Sequence, residues 1–146
     1  MGITINNRTL TASKMLTLPQ PVVLCVSRAD FEKAITEAQF YTLSLNLPLA
    51  KALSGKPAKE LESGITGIVT SIMPKGKAIY LNNFEILFDP RYKLNVIKLF
   101  CEISRHNKLI VKWCGVLENG NLTFAEPGYK DYNKYKISDY QISCVV

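Results

Sequence analysis

Val22-Val23-Leu24-Cys25-Val26-Ser27-Arg28-Ala29-Asp30-Phe31-Glu32-Lys33-Ala34-Ile35 passes from an unbroken apolar run to a helical stripe within a few residues. Val22 to Val26 has the length and β-branched content of a strand buried on both faces, the situation of a strand in a parallel sheet. From Asp30 to Ala38, the apolar positions Phe31, Ala34, Ile35 and Ala38 recur at helical spacing. Asp30 and Glu32 suit the positive end of a helix dipole. A buried strand running straight into an amphipathic helix opens a βαβ unit, and the rest of the chain is read from that start.

Working outward, Phe40 to Leu45 reads as a second strand. Pro48 fits the first turn of a short helix ending at Leu53. Lys56 to Met73 reads as a longer helix with Leu61, Ile65, Ile68 and Ile72 on one face. Gly64 and Gly67 each weaken it by about 1 kcal/mol relative to alanine. Pro74-Lys75-Gly76 forms a turn, and Ala78 to Leu81 a third strand. Asp89 followed by Pro90 signals a helix start, a carboxylate cap and then proline in the first turn. That helix is expected to reach about His106, with Leu94, Ile97, Phe100, Cys101 and Ser104 inward. Lys108 to Cys114 is a fourth strand, Asn119-Gly120 a hairpin turn, 126–138 a polar loop, and Tyr140 to Val146 a fifth strand. Residues 1–20 are polar and weakly patterned, an extension with at most one short element. The alternation predicts a single domain over residues 1–146, α/β in class. It should be a three-layer, mainly parallel five-stranded sheet with right-handed crossovers.

Composition narrows the function classes. The chain has 146 residues, 47% of them hydrophobic and 21% charged, as in an ordinary globular domain. No apolar run approaches the roughly 20 residues that span a bilayer. The first residues lack a signal-type hydrophobic segment. Gly2 is not followed by the Ser or Thr at position 6 that myristoylation requires, since Asn6 is there. A cytoplasmic location is the expectation. Cys25, Cys101, Cys114 and Cys144 form no C-x-x-C pair and match no zinc spacing, so they read as small buried hydrophobes. With His106 as the single histidine, neither a metal site nor a Ser-His-Asp triad is indicated. A net charge of +6 biases the surface toward anionic partners, nucleic acid among them.

Ligands of open α/β sheets bind beyond the carboxyl ends of the strands. The first such place carries the spacing of G-x-x-x-x-G-K-[ST], with Ser27 and Glu32 at the glycine positions, Lys33 at the lysine and Ala34 at the hydroxyl. The spacing is that of a P-loop NTPase, but the chemistry departs from it. Glu32 sets a carboxylate where phosphate oxygens would lie, and Ala34 offers no oxygen to Mg²⁺. An ordinary βα turn with a lysine at a helix start is the plainer reading of this spacing. After the third strand, where Walker B places a Mg²⁺-binding aspartate, stands Asn82. Ser27, Lys33 and Asn82 therefore read as vestigial nucleotide contacts. ATP and Mg²⁺ are doubtful cofactors, and no metal site is assigned. Glu85 is the nearest carboxylate, able to orient a water or to serve as a cap.

Leu81-Asn82-Asn83-Phe84-Glu85-Ile86-Leu87-Phe88-Asp89-Pro90 resembles L-D-x-x-E-L-L-F-x-P. Ile103-Ser104-Arg105-His106 resembles L-S-R. Val111-Lys112-Trp113-Cys114-Gly115 resembles V-x-W-x-G. Leu122-Thr123-Phe124-Ala125-Glu126-Pro127-Gly128-Tyr129 with Tyr132 resembles L-T-Y-A-x-P-G-H-x-x-Y. In order, these four blocks are similar to the BrxF family, small P-loop-containing proteins of type 3 BREX phage-exclusion systems. The resemblance covers residues 78–140, and more loosely 22–46. It implies a P-loop fold in an antiviral gene cluster, beside a large ATPase, a DNA methyltransferase, a helicase and a phosphatase-like protein. It departs at the Walker A glycines and at Asn82, which puts hydrolysis in doubt. Arg105 matches the family's arginine, implying an arginine finger on a neighbouring subunit of an oligomer. A cation favoured by a helix C-terminus is the plainer role.

The leading expectation is an accessory defence subunit that does not hydrolyse nucleotide efficiently. A nucleic-acid-binding accessory is the alternative. Tyr129, Lys130, Tyr132, Lys134, Tyr135 and Lys136 interleave rings that stack on bases with ammonium groups that neutralise phosphates. A weak NTPase with an unorthodox loop is the third.

Overall fold

The computed structural model describes the backbone of residues 1–146 and every side chain except those of Ala58, Leu61, Glu62 and Ser63. Its strands are β1 (Ile3–Ile5), β2 (Val22–Leu24), β3 (Tyr41–Ser44), β4 (Ile79–Asn82), β5 (Leu109–Lys112), β6 (Val116–Glu118), β7 (Asn121–Phe124), β8 (Asn133–Lys136) and β9 (Ser143–Val145). Its α-helices are α1 (Ala12–Met15), α2 (Ala29–Glu37), α3 (Asn46–Leu53), α4 (Ala58–Ile72) and α5 (Val96–Ile103). A six-stranded sheet runs in the order β1-β9-β2-β5-β4-β3, every neighbouring pair parallel. A separate three-stranded antiparallel sheet runs β6-β7-β8.

Side-chain alternation divides the core into two layers. Val22, Leu24, Tyr80, Ile110 and Val145 point to one face, where Met15 of α1 and Phe31 and Ile35 of α2 cover them. Val23, Leu43, Ile79, Leu81, Leu109, Val111 and Cys144 point to the other, under α3, α4, α5 and the small sheet. Connections running toward β3 thus carry α1 and α2 on one face. Those returning toward β9 carry the remaining elements on the opposite face. Opposite directions on opposite faces mean one hand of crossover throughout, as parallel βαβ connections require.

Four expectations are corrected. The sheet has six strands instead of five, because residues 1–20 supply an edge strand. Ile3 N–H donates to Ile142 O at 3.0 Å and Val146 N–H to Ile5 O at 2.9 Å. A three-residue, largely exposed strand leaves little periodicity to read, so its place is set by pairing with β9. The same segment adds a 3-10 turn at Asn7–Thr9 and the helix α1, whose Met15 is fully buried. The single helix expected over 89–106 is broken. Asp89 caps only a 3-10 turn (Pro90–Tyr92), Lys93 turns left-handed at φ 47°, and Asn95 caps α5 through Lys98 N–H. Two strong caps in one stretch start two elements. Finally, the polar loop expected at 126–138 contains β8 and a 3-10 turn at Ile137–Asp139.

The hairpin at Asn119-Gly120 forms as expected, with both residues at positive φ (51° and 76°), as a two-residue turn of the tight hairpin type requires. On α4 the buried positions are Ile65 and Val69, with Ile68 and Ile72 half-buried beside them. The side chain of Leu61, placed on the same stripe from sequence, lies outside the described residues. At Gly115 a Cβ would stand 1.8 Å from Thr123 O. Glycine there lets the chain leaving β5 pass against β7, where Trp113 Nε1 donates to that same carbonyl at 3.1 Å. Phe88 stacks on Phe124 at 4.1 Å and meets Trp113 edge-on at 5.8 Å, tying the small sheet to the large one.

Candidate functional site at the carboxyl edge of the sheet

All six parallel strands end on one edge, so that edge is where the fold gathers loops. In order across it come Asn6-Asn7, Val146, the Cys25–Arg28 loop, Trp113-Cys114, Asn82-Asn83 and Ser44-Leu45-Asn46.

The loop after β2 is short. Glu32 N–H donates to Arg28 O at 3.1 Å, so α2 is already turning where a phosphate-wrapping loop would still be open. Arg28 fills the place. Its guanidinium donates to Asn7 O and Leu10 O, forks onto the Asp30 carboxylate, and lies 4.0 Å over the Phe31 ring. The Arg28 contact holds the Asp30 carboxyl below the ordinary carboxylate range. Asp30 and Glu32 both sit in the first turn of α2, so the N–H end that would attract an anion already has carboxylates beside it. Ser27 is exposed. Lys33 lies in the second turn of α2, exposed, with Nζ 3.9 Å from Glu37 across one helical turn. Glu32 is engaged beneath the helix, where Tyr80 Oη donates to its carboxylate at 2.6 Å. Burial first, then the hydrogen bond to Glu32 and the Glu32 charge, push the Tyr80 phenol far up.

At the end of β4, Asn82 is half-buried, and its Oδ1 is a buried acceptor with no hydrogen-bond partner. Glu85 lies in the 3-10 turn Glu85–Phe88, where Asn46 Nδ2 donates to its Oε2 at 2.6 Å. Asn46 Oδ1 accepts from Ile86 N–H at 3.0 Å, and Asn83 Nδ2 donates to Ser44 Oγ at 2.8 Å. Glu85 therefore fastens the loop after β4 to the start of α3. Burial, and to a lesser degree the Glu85 charge, push the Cys114 thiol up to about 12. Burial alone does the same at Cys25. These thiols stay protonated at neutral pH and offer no nucleophile.

The arrangement does not fit ATP with Mg²⁺. The would-be phosphate loop is helical from Ala29, its helix end faces acidic groups, Ala34 has no hydroxyl, and Asn82 has no charge to give a metal. Among the described residues, no group of three or more His, Cys, Asp or Glu side chains could hold a metal ion. Among the described residues, no helix is long and apolar enough to cross a membrane.

Ser27, Asn82 and Glu85 share the carboxyl edge, while Arg105 does not. It follows α5 at the amino edge, beside a cavity of about 570 Å³. The six residues of the tyrosine–lysine segment also separate. Cross-strand register puts Leu117, Leu122 and Tyr135 in one row of the small sheet, and Val116, Thr123 and Lys134 in the next. Leu122 and Tyr135 are buried, whereas Lys134 and Lys136 are exposed. Tyr135 Oη donates to Asn133 Oδ1 at 3.2 Å and accepts from Val96 N–H at 3.4 Å, and burial pushes its phenol up to about 12. Tyr132 is half-buried. Tyr129 and Lys130 are exposed.

Sequence reasoning missed Arg28, Asn46 and Tyr80. Arg28 sat inside the motif spacing, but nothing in the sequence tells that its partners are carbonyls of the N-terminal segment. Asn46 carried a signal, an N-cap residue type directly after a strand.

No protein-family model, curated protein or solved structure matches the chain.

Proposed function

We propose that this protein is a non-hydrolysing accessory subunit of a prokaryotic phage-defence system of the BREX type, built on a P-loop-like α/β frame. The observation that carries the non-hydrolysing part is Arg28. A guanidinium bound by two carbonyls and a carboxylate of its own chain stands where a nucleotide-binding loop would hold phosphate. The strand order supports the P-loop-like frame. It brings the loop after β2 and the end of β4 to one edge with β5 between them, the two positions where motif spacing puts the vestigial contacts. The defence role is supported by the four sequence blocks across residues 81–132. They fall on the loop after β4, the end of α5, the β5 exit and the small sheet, where Leu81, Leu87, Phe88, Val111, Trp113 and Leu122 are core and Arg105 and the turn at 125–129 are exposed. The nucleic-acid alternative is supported less, since of its three rings Tyr129 is exposed, Tyr132 half-buried and Tyr135 buried.

Co-expression of the tagged full chain with the large ATPase, methyltransferase and helicase of such a system tests the role. The expected result is stable co-purification with at least one of them, retained in 0.5 M salt (roughly a 4–5 Å screening length). Failure to co-purify with any of the three contradicts it.

A further inference from the structure

A cavity lies at the amino edge of the sheet, on the opposite side from the candidate site, between the ends of α4 and α5. Its volume is about 570 Å³, within the roughly 300–1,000 Å³ typical of small-ligand pockets. Met73 and Ile103, both buried, form an apolar floor. Lys75, Arg105 and Glu102 stand around it.

Two helices end here, and free terminal carbonyls would ordinarily engage such cations. Four of these carbonyls already accept bonds. Thr70 O accepts from Met73 N–H, Phe100 O from Ser104 N–H, and Glu102 O from Arg105 N–H. Ile103 O accepts from the N–H groups of His106 and Asn107 at 3.1 Å each. Asn107 Nδ2 closes the turn by donating to Pro74 O and Lys77 O at 2.9 Å each. Among the described residues, neither Lys75 nor Arg105 has a carboxylate within ion-pair distance. Two cations against one carboxylate leave a single positive charge over an apolar floor.

From this charge balance we propose that the cavity binds a small monoanionic ligand with an apolar body, a carboxylate carried on a hydrocarbon skeleton. The acidic head meets Arg105 and Lys75 at the rim, and the body covers Met73 and Ile103. Glu102 limits the charge accepted, disfavouring polyanions such as nucleoside triphosphates. This site is independent of the defence-subunit reading.

The test uses the full chain, isotope-labelled, titrated with octanoate and with octan-1-ol and followed through its amide resonances. Octanoate is expected to shift Gly76, Ile103, Arg105 and Asn107 saturably, and octan-1-ol to bind more weakly. Arg105→Ala should weaken octanoate about three- to fivefold, and Glu102→Gln should tighten it by a similar factor. Should Arg105→Ala disturb resonances away from the cavity, Lys75→Ala replaces it with the same expected loss. Unmoved cavity amides, equal binding of acid and alcohol, or charge variants that leave octanoate affinity unchanged would each overturn the proposal.

Discussion

Arg28 shows how one side chain changes the meaning of a motif. Read as spacing, it is an unconstrained position between Ser27 and Lys33. In the fold it clamps the Asn7–Leu10 turn to α2 and closes the loop from within. Arg28→Ala leaves Leu10 O without the guanidinium donor, leaves Asn7 O with the Leu10 N–H alone, and removes the bridge between the two segments. Chemical denaturation is expected to show a loss of about 1–3 kcal/mol. Arg28→Lys should recover little of it, because one ammonium cannot fork onto Asp30 while reaching the carbonyls. The N-terminal segment should also become the first site of proteolysis in Arg28→Ala.

Among the elements, α4 carries a built-in weakness. Gly64 and Gly67 sit within it, and a Cβ at either would meet nothing within 4 Å. Gly64→Ala and Gly67→Ala should each stabilise the protein by about 1 kcal/mol, additive within error as a rise in denaturation midpoint. Unchanged midpoints would show that α4 is not helical there in solution. The same scale shows what the sequence could reveal. Strands β2, β4 and β5 and helices α2 to α4 were readable because each has a buried face wide enough to impose a period, while β3, in which Leu43 alone is buried, was readable from its β-prone residues. β1 and β8 were not, since each offers only one or two inward residues and takes its conformation from its neighbour across the ladder. The 89–106 stretch failed for another reason. Its apolar spacing continues through the break, and only the left-handed turn at Lys93, before the Asn95 cap, ends one element and begins the next. At the candidate site, Ser27, Asn82 and Glu85 reached the expected edge because strand ends are easily located. Their engagement was hidden, because Asn46 and Arg28 act across distances in sequence that no local pattern encodes.

Across the whole molecule, the core sets a pH response. Burial raises the thiols of Cys25, Cys114 and Cys144 from an ordinary value of 9.0 to about 12. Above about pH 9 the unfolded chain therefore releases protons that the fold retains, and stability must fall as pH rises toward about 12. Thermal melts between pH 8 and 11 should show this decline, and Cys25→Ala with Cys144→Ala should make it shallower. A decline of unaltered slope would place those thiols in contact with solvent. At neutral pH Cys144, fully buried, should stay unreactive toward disulfide reagents until the chain unfolds, and Cys25, half-buried, should react more slowly than an exposed thiol.

At the carboxyl edge, Arg28, Asp30 and Glu32 close the turn after β2, the place where the proposed P-loop-like frame would hold phosphate. Calorimetric titration of the full chain with ATP in the presence of Mg²⁺ tests this closure most directly, alongside an assay for phosphate release. No saturable heat and no turnover are predicted, with Lys33→Ala indistinguishable from the unaltered protein. Saturable binding with phosphate release that Lys33→Ala abolishes would contradict it.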